Sequence, residues 1–408
     1  MSERIKRMCK RLVIVWMFWS ILLSGYEMTK MQIPLSMYLY KEDAVAVLSG
    51  GQKKISPKQL NLDFSGDIDI TQTSEHSFEA VCNLFGMIPL TTMEVEVVEK
   101  QEVIPGGIAV GVYVQTDGIF VIGTGDVITE RGSFESPAKN IVKTGDYITS
   151  FQGEEIRTKQ DLVKKLETFQ GEELILGIRR NQEDLQVSIH PVYEEEQCFI
   201  GIWVRDDTQG IGTLTYVTEH KKFGALGHGI SDTDSELLME VAAGKIYDCE
   251  IIGITKGQAG TPGKLSGKII YNNAHVYGKV SGNLSGGIYG TANEQLLEAV
   301  QNTSLPIALK QEVQEGEAVI LSAVDGNVKE YTVEITKIYR GEADVQKGMK
   351  VKVTDERLLA LTGGIVQGMS GSPVIQNGRI VGAVTHVLVN DPTRGYGIFI
   401  ENMLDAAG

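Results

Sequence analysis

The sequence predicts a mainly β protein with two or three domains. The chain has 408 residues, enough for several separate cores. Val, Ile, Thr and 46 glycines are abundant, and helical heptads are scarce, which is typical of short strands joined by tight turns. The formal net charge of −15 argues against nucleic acid or anionic lipid as the main partner. The four cysteines form no CxxC pair, so we expect no metal and no cofactor.

The first 30 residues have the layout of an export signal. Five basic residues in "ERIKRMCKR" precede the apolar run "LVIVWMFWSILL" at residues 12–23. This order is typical of a signal peptide, and the run is shorter than the ~20 residues that cross a bilayer comfortably. We predict a signal peptide or membrane anchor at residues 1–30, with cleavage and retention both open; a buried core helix is the alternative. Residues 31–100 show no catalytic motif and are an N-terminal region of unknown role.

Residues 101–193 are predicted to form strands around one amphipathic helix. After the Gly145-Asp146 turn the pattern runs strand, helix, strand, turn, strand. Apolar residues of the helix fall at i, i+1, i+4 and i+7, on one face: Leu162, Val163, Leu166 and Phe169. Together with the strand, Gly turn and strand of "VIPGGIAVGVYVQTDGIFVIG", this order resembles a PDZ domain of the bacterial protease-associated type.

The PDZ resemblance implies a peptide ligand. PDZ domains bind an extended peptide as an extra strand beside a glycine-containing loop. That loop is expected at residues 105–112, where the N–H groups of Gly106 and Gly107 face a peptide carboxylate. A small α/β domain without a ligand is the alternative.

The stretch "TGGIVQGMSGSPVIQNGRIVGAVTH", residues 362–386, carries the most specific chemistry of the chain. Its spacing imitates a phosphate-binding P-loop, but Met369 stands where the required lysine belongs, and Asn377-Gly378 predicts a hairpin instead of a helix. A serine nucleophile needs a tight turn of small residues, so that a carbonyl can approach and backbone N–H groups can face its oxyanion. We therefore predict Ser370 as the nucleophile, with the N–H groups of Gly368 and Ser370 as the oxyanion hole, and Ser372 as a small turn residue.

A serine nucleophile also needs a base and a group that orients the base. Four of the six histidines lie outside the β region or in polar loops: His76, His190, His220 and His275. His228, between Gly227 and Gly229, and His386, beyond the hairpin, remain. Of these, His386 is expected to be either a core histidine or a residue of the substrate pocket.

The motifs of the second half resemble the stage IV sporulation protein B family of serine peptidases. The resemblance rests on "GIGTLTYV", "KKFGALGHGISD", "VTDERLL" and the stretch from "TGGIVQGMSGSP" to "GYGIFIENML", and it extends over roughly residues 100–408. It implies a chymotrypsin-like double β-barrel at residues 194–408, preceded by the PDZ domain. It also implies His228 as general base, Ser370 as nucleophile and Asp355 as the orienting acid. Because Asp355 is close to the serine in sequence, three other aspartates stay open for that role: Asp232, Asp234 and Asp325.

The function that we expect is exported serine endopeptidase activity in sporulation signalling. By resemblance, the enzyme leaves the forespore, reaches the space between the two sporulation membranes and cleaves a membrane-bound regulatory protein. This cleavage activates the processing of a mother-cell sigma factor, and self-cleavage is possible. The alternative is a non-catalytic PDZ-type peptide-binding module.

Overall fold

The computed structural model describes residues 3–31, 33–48, 54–60, 62, 64–74, 76–341 and 344–407. Met1 and Ser2 of the predicted signal segment, and several positions of the region 31–100, therefore lie outside the described residues. The first element is helix α1 (Glu3–Met31). Residues 10–30 of it are apolar enough to cross a membrane, and none of this stretch is buried in the protein. An apolar helix near the N-terminus is compatible with a signal or anchor segment.

The region after α1 forms a five-stranded sheet of its own. Its strand order is β1-β5-β4-β3-β2, and β1 and β5 are parallel. Buried Ile68, Phe78 and Met93 lie in its core. The elements are β1 (Ser36–Tyr40), α2 (Lys41–Leu48), β2 (Lys54–Ile55), a 3-10 turn (Pro57–Leu60), β3 (Gly66–Gln72), β4 (Ser77–Leu84) and β5 (Ile88–Val98).

Two unusually long strands organise the middle of the chain. The elements are β6 (Glu102–Pro105), β7 (Ala109–Thr124), β8 (Val127–Thr129), β9 (Gly132–Phe134), β10 (Tyr147–Phe151), β11 (Glu154–Glu155), α3 (Lys159–Thr168), β12 (Leu174–Arg180), β13 (Glu183–Ile189), β14 (Val192–Glu194), β15 (Gln197–Phe199) and β16 (Ile202–Val217). β7 and β16 pair antiparallel almost from end to end, with irregular register where residues 115–120 of β7 face residues 205–207 of β16. Gly118, at φ +100°, adopts there a backbone conformation that few other residues tolerate.

Beyond this irregularity, the strands belong to what we call the PDZ-like unit, residues 118–206. Its sheet runs β13-β12-β10-β7, and β16 flanks β7 on the other side. Helix α3 begins at a capping box formed by Thr158 and Asp161, and it buries Leu162 as its pattern predicted. Val163 of the same predicted face is about half exposed. The domain boundaries at residues 193 and 194 stay a prediction, since β7 and β16 each continue into the next structure.

The other halves of β7 and β16 close a six-stranded barrel. The ring runs β7-β18-β20-β21-β17-β16 and returns to β7. Apolar side chains of β7, β16, β17 and β18 fill it, among them Val112, Leu214, Phe223 and Ile246. The elements are β17 (Lys222–Ala225), β18 (Val241–Thr255), β19 (Lys264–Ile269), a 3-10 turn (Asn273–His275), β20 (Val276–Leu284), β21 (Gly287–Ala292), α4 (Glu294–Ala299) and β22 (Leu305–Pro306).

The last third of the chain closes a second barrel, in the order β23-β24-β25-β28-β27-β26. Its core includes Met349, Met369 and Phe399. The elements are β23 (Gly316–Ser322), β24 (Lys329–Ile338), a 3-10 turn (Val345–Lys347), β25 (Met349–Val353), α5 (Glu356–Thr362), β26 (Pro373–Gln376), β27 (Arg379–Leu388), β28 (Asp391–Phe399) and α6 (Ile400–Ala407). The predicted fold class, a mainly β chain with a double barrel, a PDZ-like part and an N-terminal apolar helix, is confirmed.

Candidate active site

The predicted nucleophile lies on a glycine-rich turn just before β26. Gly368 has φ +100° and Gly371 has φ +94°, so the backbone reverses sharply on both sides of Ser370. Met369 is fully buried in the core of the second barrel, and this burial anchors the turn. A buried position also explains why an apolar methionine stands where a P-loop would have lysine. Ser370 is half-buried, whereas Ser372 is fully buried. Of the two serines, only Ser370 is placed to meet a substrate.

Strand β16 of the first barrel holds this turn in place. The N–H of Thr213 donates to the carbonyl of Ser370 at 2.9 Å, and its hydroxyl donates to the carbonyl of Gly368 at 2.8 Å. The hydroxyl of Thr215 donates to the carbonyl of Gly371 at 2.8 Å. Ser370, the predicted nucleophile, is therefore positioned by both barrels. Sequence reasoning missed these two threonines, since no local pattern shows which turn a strand will face.

The two backbone N–H groups predicted as the oxyanion hole have no acceptor among the described residues. The N–H of Gly371 donates to Val384 and that of Ser372 donates to Met369. Within the part of the chain that the structure describes, the N–H groups of Gly368 and Ser370 find no acceptor. Backbone donors kept free on a tight turn are what an oxyanion hole requires.

His228 follows β17 of the first barrel and reaches the same place. Gly227 lies against the second barrel, since a Cβ there would be 3.1 Å from Cγ2 of Thr385. Nδ1 of His228 lies 2.8 Å from the carbonyl of Gly229. A carbonyl only accepts, so Nδ1 carries the proton and Nε2 is free to act as a base. Burial lowers the pKa of His228 below its usual value, and the bond to Gly229 offsets part of that effect.

His386 lies directly beside this base. Its ring centroid is 5.1 Å from that of His228, and the residue is exposed, so it is not a core histidine. Partial burial of the ring and the neighbouring His228 lower the pKa of His386 to about 4. The hydroxyl of Ser370 donates to the carbonyl of Thr385 at 2.7 Å, and no hydrogen bond joins Ser370 to His228 among the described residues. Ser370, His228 and His386 are therefore brought together, with the serine hydroxyl turned towards the backbone.

The structure does not bring Asp355 to His228 as expected. Asp355 is the N-cap of α5, where its carboxylate accepts from the N–H groups of Arg357 and Leu358 and from the Arg357 guanidinium at 2.7 Å. The Arg357 side chain lowers the pKa of this carboxyl to about 2. The sequence held this signal, because an aspartate before "ERLLALTG" is a typical helix start.

Strand geometry separates Asp355 from the serine as well. The first residue of β25, Met349, pairs with Gly397, which in turn pairs with Val384 beside the nucleophile turn. Val353, at the other end of β25, is about 13 Å further along at ~3.3 Å per residue. Asp355 follows that remote end.

The other candidate acids are engaged elsewhere. Asp232 and Asp234 pair with Arg205, at 2.5 and 3.1 Å, and Asp325 pairs with Lys329. Among the described residues, His228 forms no hydrogen bond with a carboxylate. The group that orients the base in this structure is the Gly229 carbonyl.

The loop predicted to bind a peptide carboxylate is occupied by the first barrel. The N–H groups of Gly106 and Gly107 donate to the carbonyls of Thr215 and Leu214, at 2.9 and 2.8 Å. A Cβ at Gly106 would lie 2.4 Å from the Leu214 carbonyl oxygen, and one at Gly107 would lie 2.7 Å from Cβ of Leu321. The expectation was wrong, because both donors are used between β-structures. Bulky residues here would disturb the barrels themselves.

A further residue missed from the sequence is Asn283. Its side chain accepts from the N–H of Ile230 at 2.7 Å and donates to the carbonyls of Ile230 and Met239, both at 2.8 Å. Residues 230–239, which we call the His228 hairpin, run out and back antiparallel through the Ser231–Leu238 bridge. His228 is thus followed, two residues later, by a clamped hairpin.

The second half of the chain matches a known peptidase family. A family model described as SpoIVB peptidase S55 matches residues 196–404, just over half of the chain. The chain belongs to this family. It is accordingly a serine peptidase, and the residues matched contain His228, Asp355 and Ser370. No protein of curated function matches the chain.

Solved structures resemble separate parts of this SpoIVB-family peptidase. The PDZ domain of an SdrC-like protein from Listeria monocytogenes is 20% identical over 22% of this chain and 90% of its own, with a TM-score of 0.18. The active form of the Rv3671c protease from M. tuberculosis is 13% identical over 49% of this chain and 75% of its own, with a TM-score of 0.28. Its inactive form is 13% identical over 48% of this chain and 84% of its own, with a TM-score of 0.26. The architecture itself rests on the strand pairings described above.

Proposed function

We propose that this SpoIVB-family peptidase is an exported serine endopeptidase of sporulation signalling, with Ser370 as nucleophile and His228 as general base. The observation that carries the proposal is the turn at Ser370. It presents a half-buried hydroxyl between two N–H groups that have no acceptor among the described residues, and it lies against the segment of the other barrel that carries His228, a half-buried histidine whose pKa is lowered.

The reaction follows from these groups. The hydroxyl of Ser370 leaves the Thr385 carbonyl and turns to Nε2 of His228, an adjustment common when substrate binds. His228 takes the proton while Oγ attacks the scissile carbonyl, and the N–H groups of Gly368 and Ser370 bind the oxyanion. His228 then protonates the leaving amine, and water hydrolyses the acyl-enzyme. The Gly229 carbonyl holds the imidazole in the tautomer that this sequence requires.

The site of action is the finer part of the proposal. The exposed apolar helix α1 supports export with retention or removal of an anchor. We place the enzyme between the two sporulation membranes after secretion from the forespore. Its substrate there is a membrane-bound regulatory protein whose cleavage activates sigma-factor processing in the mother cell.

Two surfaces fit an extended peptide. A cavity of about 420 Å³ opens beside Gly368, and Ile211, Lys264 and Tyr271 contribute to its wall, which suits a substrate chain next to the oxyanion hole. In the PDZ-like unit, residues 202–205 of β16 pair with β7 on one side, and among the described residues no strand pairs with their other side. The start of α3 approaches this edge through the Lys159 N–H, which donates to Asp206 at 2.8 Å. This edge, rather than Gly106 and Gly107, is where we place a peptide ligand of the PDZ-like unit.

A fluorophosphonate probe tests the enzymatic assignment. The wild-type chain should be labelled on Ser370, and both Ser370→Ala and His228→Ala should abolish labelling while keeping the β-rich circular dichroism spectrum. Because catalytic partners act as a unit, the double variant should be little worse than either single one. An unlabelled but folded wild-type protein would favour the alternative, a non-catalytic PDZ-type peptide-binding module.

A further inference from the structure

The His228 hairpin and the residue after it contact three strands of the PDZ-like unit, β10, β12 and β16. At its tip, Asp232 and Asp234 form ion pairs with Arg205 of β16. Beside the tip, Leu237 lies against Gly145, where a Cβ would be 2.7 Å from Cδ1 of the leucine. The His228 hairpin, which follows the PDZ-like unit in sequence, thus folds back onto that unit.

The exit of the hairpin is fixed to the same unit. The N–H of Glu240 donates to the hydroxyl of Tyr147 at 2.8 Å, and its carboxylate accepts from Arg179 at 2.9 Å. The Glu240 carbonyl also accepts from the N–H of Asp117, the residue just before the unit, at 3.0 Å. The hairpin is consequently held at both its tip and its exit.

Asp232 is the centre of the tip. It is 1% exposed, and its Oδ1 accepts from the N–H groups of Asp234 and Ser235 and from the Ser235 hydroxyl, which closes the turn. Its Oδ2 accepts from Arg205 at 2.5 Å. A buried carboxylate that loses its partner charge is strongly destabilised. The shape of the tip therefore depends on Arg205.

The position of the hairpin affects His228 directly, because the two are only a few residues and one packing contact apart. His228 is two residues before Ile230, whose N–H and carbonyl are both clamped by Asn283. Leu238, on the returning side, lies against Gly229, where a Cβ would be 2.3 Å from Cδ1 of Leu238. Gly229 supplies the carbonyl that binds Nδ1 of His228. A displaced hairpin moves the group that orients the imidazole.

We propose that Arg205 is a positioning residue for catalysis, which fixes His228 through Asp232 and makes the PDZ-like unit a structural part of the active site. The inference rests on the proposed role of His228 as base. The same strand that carries Arg205 also carries Thr213 and Thr215, which hold the nucleophile turn. One strand, β16, therefore contacts both catalytic loops.

The test compares Arg205→Gln with Arg205→Lys and a matched control in the full chain. Arg157→Gln is the control, because Arg157 belongs to the same unit, is 80% exposed and pairs with Glu155, away from the hairpin. The measured quantities are kinact and KI for a fluorophosphonate probe, together with Tm, at a temperature well below every transition. A misplacement of the base by ~1 Å costs on the order of 10² in rate. We expect kinact of Arg205→Gln to fall by ~10- to 100-fold with KI within about threefold, and Arg157→Gln to match the wild type.

Conservative and double variants separate positioning from general stability. Arg205→Lys keeps the charge beside Asp232 but loses the fork, so its kinact should lie between those of Arg205→Gln and the wild type. Arg205→Gln with Asp232→Asn should be no slower than the worse single variant, since both break one contact. An Arg205→Gln protein with a lower Tm but wild-type kinact would overturn the proposal, and so would multiplicative losses in the double variant.

The controls also separate this inference from the enzymatic assignment. If His228→Ala keeps wild-type labelling, the role of His228 fails and the inference fails with it. If His228→Ala is inactive and Arg205→Gln is fully active, the peptidase assignment stands and only the positioning role is refuted. Should Arg205→Gln fail to fold, Arg205→Lys decides: the single amine cannot bind Asp232 and Asp234 as a fork, so a positioning role predicts a measurable loss of kinact at unchanged KI.

Discussion

Replacing Gly371 by alanine tests how tightly the nucleophile turn packs against the first barrel. A Cβ at this position would lie 2.1 Å from the Thr213 carbonyl oxygen, 2.5 Å from the Leu226 nitrogen and 2.9 Å from the Leu226 Cα. Ordinary contacts between heavy atoms lie near ~3.5 Å, so the turn and the first barrel must separate by more than ~1 Å. All three neighbours are backbone atoms, which cannot swing aside like a side chain.

A shift of this size acts on both halves of the site. Thr213 binds the carbonyls of Gly368 and Ser370, and Leu226 precedes His228 by two residues. With ~10² in rate for a misplacement of about 1 Å, labelling of Ser370 by the fluorophosphonate should slow by at least about 100-fold. Alanine at φ +94° also costs about 1–2 kcal/mol, before any clash is counted.

Gly378→Ala provides the matched control. Gly378 lies at the tip of the hairpin after the nucleophile, has φ +72°, and nothing is within 4 Å of a Cβ built there. It carries the conformational cost of about 1–2 kcal/mol without the clash, so Tm should fall by a few degrees while the labelling rate stays within about twofold. If Gly371→Ala labels as fast as Gly378→Ala and unfolds at the same temperature, the close approach between turn and barrel is not present.

Three further predictions concern the acid, the pocket and the base. Asp355→Asn keeps a capping side chain but loses the charge that pairs with Arg357; we expect a lower Tm and a labelling rate within about tenfold of wild type, whereas a loss on the order of 10⁴ would restore Asp355 as the triad acid. His386→Ala should change which members of a peptide library are cut while the small probe still labels Ser370, because a lost hydrogen bond in the pocket alters discrimination; an unchanged cleavage profile would contradict a pocket role. As pH falls, the midpoint of the loss of labelling rate should lie below 6.5, because burial lowers the pKa of His228 from that value and the neutral imidazole is the active form. A midpoint near pH 7 would contradict a lowered pKa.

Local features of the chain were predictable because their causes are local. The amphipathic pattern from Leu162 identified helix α3, whose capping box joins Thr158, just before the helix, to Asp161 in its first turn. Asn377-Gly378 predicted a hairpin, and both residues have the positive φ that such a turn requires. The turn around Ser370 was predicted because only small neighbours leave a serine accessible. In each case a few consecutive residues contain the whole physical argument.

The errors have a different origin, since they concern which groups meet across the fold. Gly106-Gly107 has the same sequence whether its N–H groups are free for a ligand or paired with β16. Asp355 carries a helix-cap signal and matches a catalytic motif equally well, and only the strand order shows that it follows the remote end of β25. Periodicity identifies a strand but does not name its partners.

The continuity of β7 and β16 is the most consequential of these long-range facts. In each of these segments, a period-two pattern predicts one strand before and one strand after a polar break. It gives no reason to expect that the two pieces form a single strand of 16 residues. Once joined, the two strands place Arg205 in the PDZ-like unit and Thr213 under the nucleophile on the same backbone, eight residues apart. At ~3.3 Å per residue, that is about 26 Å of β-structure between the ion pair and the serine turn. A docking domain on a flexible linker would have no such connection to the barrel. Removing the PDZ-like unit should therefore cut β7 and β16, two of the six strands of the first barrel, and so damage the barrel as well as remove a peptide site.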